Sequence, residues 1–147
     1  MMIAVIRLKG KRGMAPWVSA TLESLSLNRL YTCTLLPSSE GSRGMVQSCK
    51  DAVSFGEVDG QAIGLLLSKR GLLRDGRKLS LAKKPGEIEK LAGEIAKGEK
   101  TLSKHGILPV FFLSPPRGGF AGGKKSQPPF GPLGRNPKIG ALIAKMA

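Results

Sequence analysis

Met2-Ile3-Ala4-Val5-Ile6-Arg7-Leu8 is the stretch on which the fold of this 147-residue chain is built. Its alternate side chains form two sets, as the two faces of a pleated strand require. One set is wholly apolar and consists of Met2, Ala4, Ile6 and Leu8. The other set is Ile3, Val5, Arg7 and Lys9, so it becomes basic toward its end. This alternation predicts a β-strand that opens the chain.

The residues that follow this strand continue in alternating strand and helix patterns. Apolar residues recur at helical spacing after Pro16, which suits the first position of a helix. A β-run at 30–36, a helix capped by Ser42 and a third strand at 53–58 come next. The order strand, helix, strand, helix, strand therefore predicts an α+β fold whose βαβαβ core spans residues 1–58, a small sheet with helices on one face.

The remainder of the chain is expected to enlarge that core into one compact domain. Residues 59–107 predict a helical segment packed on the core, and its clearest helix begins at Pro85 and ends at Lys97. Residues 108–147 predict a strand, a basic Gly/Pro loop and a closing helix. The pair Asn136-Pro137 is expected to cap and start that last helix.

The loop Ser114–Arg135 has an unusual composition, with six Gly, five Pro, four cations, two Phe and no acid. Its apolar residues are too few to pack a core, so we expect a surface segment that a polyanion orders. Glycine lets the backbone approach phosphates, and cations can neutralise them. Phe120 or Phe130 can stack on a base or pack beneath the loop. A solvated flexible loop is the alternative.

The same loop resembles a Walker A phosphate loop incompletely. Gly118, Gly123 and Lys124 match the motif, but Lys125 replaces the required Ser or Thr. Pro128 and the proline after it block the helix that should follow. A nucleoside triphosphate site is therefore not expected.

The charge balance points to a polyanionic partner. The chain has 24 Lys and Arg against 10 Asp and Glu, a net charge of +14 and a pI near 10.3. Such a balance favours nucleic acid or an anionic membrane over enzyme substrates. The sequence contains no apolar run of membrane-spanning length and no signal peptide, and its two cysteines do not make a disulfide scaffold. We therefore expect a reduced, cytoplasmic protein.

Candidate catalytic groups find no partners in the sequence. His105 is the only histidine, and neither Cys33 nor Cys49 has metal-ligand spacing to it. The glutamates of the helix at 85–97 are interpreted as dipole partners and a solvated face. We expect no enzyme activity, no cofactor and no metal site.

Other cations are candidates for phosphate contacts. Lys9, Lys11 and Arg12 cluster in the loop after the first strand, although a plain solubilising turn is as good an interpretation of each one alone. Arg43 lies in the first turn of a helix, where the dipole favours anions and a cation makes sense opposite one.

Five segments in order carry a resemblance to a known family, and together they extend over nearly the whole chain. They are Ile3–Leu8, Thr21–Leu30, Arg43–Met45, Phe55–Val58 and Pro115–Phe120. The first three resemble the universal large-subunit ribosomal protein numbered thirty. The last two resemble its archaeal form, which is related to the eukaryotic protein numbered seven.

The resemblance implies a ferredoxin-like βαβαβ core and a structural role in the large ribosomal subunit, bound to large-subunit ribosomal RNA. Further candidate partners are 5S ribosomal RNA and neighbouring ribosomal proteins, and we expect no membrane and no small-molecule substrate. A free-standing RNA-binding module or RNA chaperone is the alternative function. The candidate RNA-binding residues are Arg7, Lys9, Lys11, Arg12, Arg43, Arg117, Phe120, Lys124, Lys125 and Arg135.

Overall fold

A mixed β-sheet forms the centre of the molecule. The computed structural model describes residues 2–98, 102–120 and 133–147. Within these ranges the strands are β1 Met2–Arg7, β2 Thr32–Pro37, β3 Val53–Val58, β4 Val110–Phe112 and β5 Gly134–Arg135. Their spatial order is β4-β2-β1-β3-β5, with β1 antiparallel to both neighbours and β5 parallel to β3.

Helices join and cover these strands. In the described ranges they are α1 Pro16–Ser24, α2 Glu40–Ser48, α3 Gly60–Arg70, α4 Leu79–Ala82, α5 Pro85–Ala96 and α6 Ile139–Met146, with a 3₁₀ turn at Leu102–His105. The α+β class and the order strand, helix, strand, helix, strand in the first 58 residues are confirmed. No helix among the described residues is long and apolar enough to cross a bilayer.

β1 is central because both of its faces are apolar. Ala4 and Ile6 belong to a buried cluster with side chains of α3, α5 and α6. Ile3 and Val5 belong to a second buried cluster with side chains of α1 and α2. The two helices of the βαβαβ core therefore share one face of the sheet, as predicted, and the later helices cover the opposite face.

Two helix starts differ from the prediction. The cap of α2 is Ser39, not Ser42, because the Ser39 hydroxyl accepts a hydrogen bond from the Ser42 N–H at 3.2 Å. The last helix begins at Ile139. Asn136 Oδ1 accepts the Lys138 N–H at 2.9 Å, which places Pro137 in a turn before the helix.

The approach of α6 to the sheet depends on Gly56 in β3. The Asn136 N–H donates to the Phe55 carbonyl at 2.7 Å, so the chain passes directly over β3 on its way to α6. A methyl group on Gly56 would overlap the Asn136 carbonyl oxygen and lie 3.0 Å from Ile139 Cγ2. The missing side chain makes this crossing possible.

Candidate nucleic-acid interface

Five of the ten candidate RNA-binding residues lie at one end of the sheet. Arg7 at the end of β1 pairs with Val53 at the start of β3, and Phe112 at the end of β4 pairs with Thr32 at the start of β2. The segments 8–18, 25–31 and 112–120 therefore meet along this edge. We call these three segments the basic edge.

The basic edge is rich in cations and carries no acid. Lys9 is half-buried, and the other cations are exposed: Lys11, Arg12, Arg29 and Arg117. No Asp or Glu occurs in any of the three segments. These cations attract phosphates from a distance. Asp51 lies next to the edge, because the carbonyl of its neighbour Ala52 accepts from the Leu8 and Lys9 N–H groups at 3.0 and 3.2 Å.

Backbone hydrogen bonds fix the segments of this edge to one another. The Tyr31 N–H donates to the Arg7 carbonyl at 2.8 Å, and the Leu113 N–H donates to the Tyr31 carbonyl at 3.0 Å. Tyr31 itself has a left-handed backbone, with φ of 60°, which is unusual for a large side chain. These bonds hold that conformation and set the position of Arg29 two residues earlier.

Arg7 lies beneath the basic edge and not on it, contrary to the predicted RNA contact. The Arg7 residue is only 3% exposed. The guanidinium donates to the Leu27 carbonyl at 2.6 Å and to the Lys9 carbonyl at 2.9 Å. Burial lowers the pKa of Arg7 by desolvation, and the two carbonyls offset that cost. Arg7 thus joins two segments of the edge from inside.

Hydrogen bonds to the end of α6 hold Arg117 in place on the basic edge. The Ser114 N–H donates to the Met146 carbonyl at 3.0 Å, and the Arg117 N–H donates to the Lys145 carbonyl at 3.2 Å. Arg117 lies within a turn from Pro116 to Gly119, in which the positive φ of Gly118 suits a type II turn. The start of the predicted loop is therefore anchored to the folded core.

The outcome differs among the other loop residues. Phe120 is half-buried and packs against the core cluster of α3, α5 and α6, the second of the two placements that the sequence allowed. Arg135 is exposed on β5. Lys124 and Lys125 lie outside the described residues. Their contact with RNA stays a prediction from the sequence.

Arg135 and Arg43 line a cleft of about 540 Å³ beside α2. Its walls include Ile3 and Phe55, so it opens on the face of the sheet that α1 and α2 cover. Arg43 donates to the Ser38 hydroxyl at 2.8 Å and lies 3.7 Å from a Glu57 carboxylate oxygen. Two of the predicted RNA-binding cations therefore line the same cleft, and one of them, Arg43, is already paired with Glu57.

Sequence reasoning missed three exposed residues of the basic edge. The Arg29 guanidinium lies 5.8 Å from the centre of the Phe112 ring, and the Phe112 residue is 43% exposed. Trp17 is 68% exposed. One signal was available for Trp17: it falls off the apolar stripe that Val18 and Leu22 define on α1. The Arg29–Phe112 pair depends on the β2–β4 pairing and left no local signal.

The two cysteines and the histidine, which are the candidate reactive groups, are buried or paired with other side chains. Burial raises the pKa of the Cys33 thiol to about 12 and that of the Cys49 thiol to about 11. His105 Nε2 lies 3.9 Å from a Glu94 carboxylate oxygen. In the described part of the chain, no group of three or more His, Cys, Asp or Glu residues could hold a metal ion.

Comparison with known proteins gives consistent matches. A profile of the family described as ribosomal protein L30p/L7e matches residues 3–53. A protein of Methanothrix thermoacetophila is 37% identical over 150 residues, covering 99% of both chains. One of Methanococcus maripaludis is 38% identical over 153 residues, again covering 99% of both. One of Korarchaeum cryptofilum is 37% identical over 153 residues, covering 99% of this chain and 94% of its own. All three relatives are named large ribosomal subunit protein uL30.

Proposed function

Because this chain belongs to the L30p/L7e family of ribosomal proteins, we propose that it is a structural constituent of the large ribosomal subunit and binds large-subunit ribosomal RNA. The observation that carries the proposal is the basic edge, whose three segments contain five cations and no acid. Full-length similarity to relatives named as large-subunit proteins supports the placement in the ribosome.

The proposed contact is electrostatic and directed at phosphates. Lys9, Lys11, Arg12 and Arg117 would each neutralise a phosphate and release a counterion. Arg43 and Arg135 offer a second, separate contact at the cleft, toward the opposite end of the sheet, where Glu57 limits the charge that Arg43 presents. Because these cations neutralise phosphates, RNA helices that pack against this surface repel one another less than they would without the protein. The protein would thereby stabilise the packed RNA of the subunit.

The salt dependence of RNA binding tests this surface. We expect the double variant Lys11→Ala/Arg12→Ala to bind large-subunit RNA more weakly. The negative slope of its log affinity against log salt should be shallower than that of the wild type by about 1.4 to 1.8. The matched control is Lys90→Ala/Lys97→Ala, which removes two exposed cations from the region of α5. The control lies among glutamates and should keep the wild-type slope. Equal slopes for both variants would contradict the proposed surface.

Co-sedimentation separates the proposed role from the free-standing alternative. In a lysate, we expect the protein in the large-subunit fraction and its release at high salt. A protein that binds RNA in isolation and yet sediments mainly free of ribosomes would favour an RNA-binding module or chaperone. The variant Lys124→Ala/Lys125→Ala tests the predicted loop in the same assay.

The proposal assigns no catalytic step to this chain. The raised pKa values of Cys33 and Cys49 keep both thiols protonated at neutral pH, which supports a structural reading of the cysteines. The proposal extends to 5S ribosomal RNA and neighbouring ribosomal proteins as contacts. Ultraviolet cross-linking of the assembled subunit tests that extension, and cross-links confined to the long RNA would remove 5S RNA from it.

A further inference from the structure

We propose that Trp17 stacks on an unpaired RNA base, so that the basic edge takes RNA with nucleotides outside a duplex. This inference rests on the proposed RNA-binding function and names the class of RNA that the same surface accepts. Its starting point is that Trp17 is 68% exposed and is the chain's single tryptophan.

The exposure of Trp17 is fixed by the packing of its neighbours. Met14 and Val18, on either side of it in sequence, both pack against the buried cluster of α1 and α2. The Met14 N–H closes the preceding turn on the Lys11 carbonyl at 3.3 Å. Because α1 begins at Pro16, Trp17 lies in the first helical turn, off the inward stripe. The indole is therefore held outward by a rigid element.

Exposed apolar side chains concentrate at the same edge. The large hydrophobic residues exposed in the described ranges are Trp17, Leu30, Met45, Leu81 and Phe112. Three of these five lie in the segments of the basic edge, together with its cations. The Arg29 guanidinium adds a further planar group, 5.8 Å from the centre of the Phe112 ring.

A surface that combines aromatic faces with cations matches the chemistry of an unpaired nucleotide. Unstacked bases bind on aromatic rings and arginine planes, while their phosphates bind nearby cations. A fully paired duplex hides its base faces and offers an indole only sugar and phosphate. The Trp17 indole therefore makes its largest contact with a base that is not stacked within a duplex. An acidic protein partner would use the cations but has no equal need of a planar ring.

The single tryptophan gives a direct test on the full-length protein. The probes are a short oligouridine and a fully paired RNA duplex, compared at equal phosphate concentration. We expect oligouridine to quench the fluorescence of Trp17 to saturation and to protect it from acrylamide. The duplex should bind through the cations and leave the indole accessible. Equal protection by both RNAs would overturn the inference, because the contact would then not be base stacking.

Three substitutions separate stacking from charge. Trp17→Ala should weaken oligouridine binding by about tenfold without changing the salt slope, since no phosphate contact is lost. Trp17→Phe should retain most of the affinity. Leu81→Ala is the matched control, because Leu81 is 84% exposed but belongs to α4, which packs through Leu79 on the opposite face of the sheet. The control should bind like the wild type.

The outcomes also distinguish this inference from the proposed function. If the protein binds oligouridine with a steep salt slope and Trp17 stays accessible, the stacking inference fails and RNA binding stands. If no RNA binds, the proposed function fails. If Trp17 is shielded only after ribosomal proteins are added, the indole contacts protein and the stacking inference fails.

Discussion

At the scale of single residues, the buried Arg7 explains how the basic edge keeps its shape. Its guanidinium joins the carbonyls of Lys9 and Leu27 beneath the surface. We expect Arg7→Met to destabilise the fold by about 2 kcal/mol, because the buried Leu27 carbonyl and the partly buried Lys9 carbonyl lose a charged donor. Urea unfolding measures the loss. Arg77→Met is the control, since Arg77 pairs with Asp75 in solvent, and its stability should match the wild type.

The cysteines determine part of the alkaline stability at the same scale. In the folded chain burial raises the pKa of Cys33 to about 12 and that of Cys49 to about 11, from an ordinary value of 9.0. The unfolded chain therefore loses its thiol protons first as pH rises. Stability is fully present below pH 9.0 and falls as the pH approaches the folded values. Urea midpoints measured across this range should fall less steeply for Cys33→Ala/Cys49→Ala. Parallel curves would contradict the expectation.

At the scale of elements, the contact between β3 and α6 depends on a glycine. Gly56→Ala would place a methyl group against the Asn136 carbonyl, so we expect a loss of about 1 to 3 kcal/mol as α6 shifts. Thermal unfolding measures it. Gly93→Ala provides a control with the opposite sign, because a methyl there meets nothing within 4 Å and removes a flexible residue from α5. A neutral Gly56→Ala would mean that α6 does not rest on β3.

The elements that the sequence predicted are those with a local signal. β1 follows from alternation, and α5 follows from its proline start and its apolar stripe. β5 has two residues and no period, and it exists through parallel pairing with Ser54 and Phe55, about eighty positions earlier in the chain. The burial of Arg7 was missed because the segment at Leu27 covers it. Such contacts depend on tertiary packing.

At the scale of the whole molecule, two buried clusters share one strand. Ile3 and Val5 enter one cluster while Ala4 and Ile6 enter the other, so neither face of β1 can lose its cover alone. We expect one cooperative transition, with equal calorimetric and van't Hoff enthalpies. This also tests the predicted division of a single compact domain into segments 1–58, 59–107 and 108–147. Two separated transitions would mean that one segment unfolds independently.

The order in which the chain is synthesised gives the two faces of the sheet different histories. Residues 1–58 contain β1, β2 and β3 with α1 and α2, so this first part to leave the ribosome can already cover one face. The cover of the other face comes from α3, α5 and α6, and the last residue of that cover along the chain is Met146. At ordinary elongation rates the residues after position 58 take on the order of ten seconds to be synthesised. A growing chain thus exposes Ala4 and Ile6 for that interval, on the surface most in need of a chaperone.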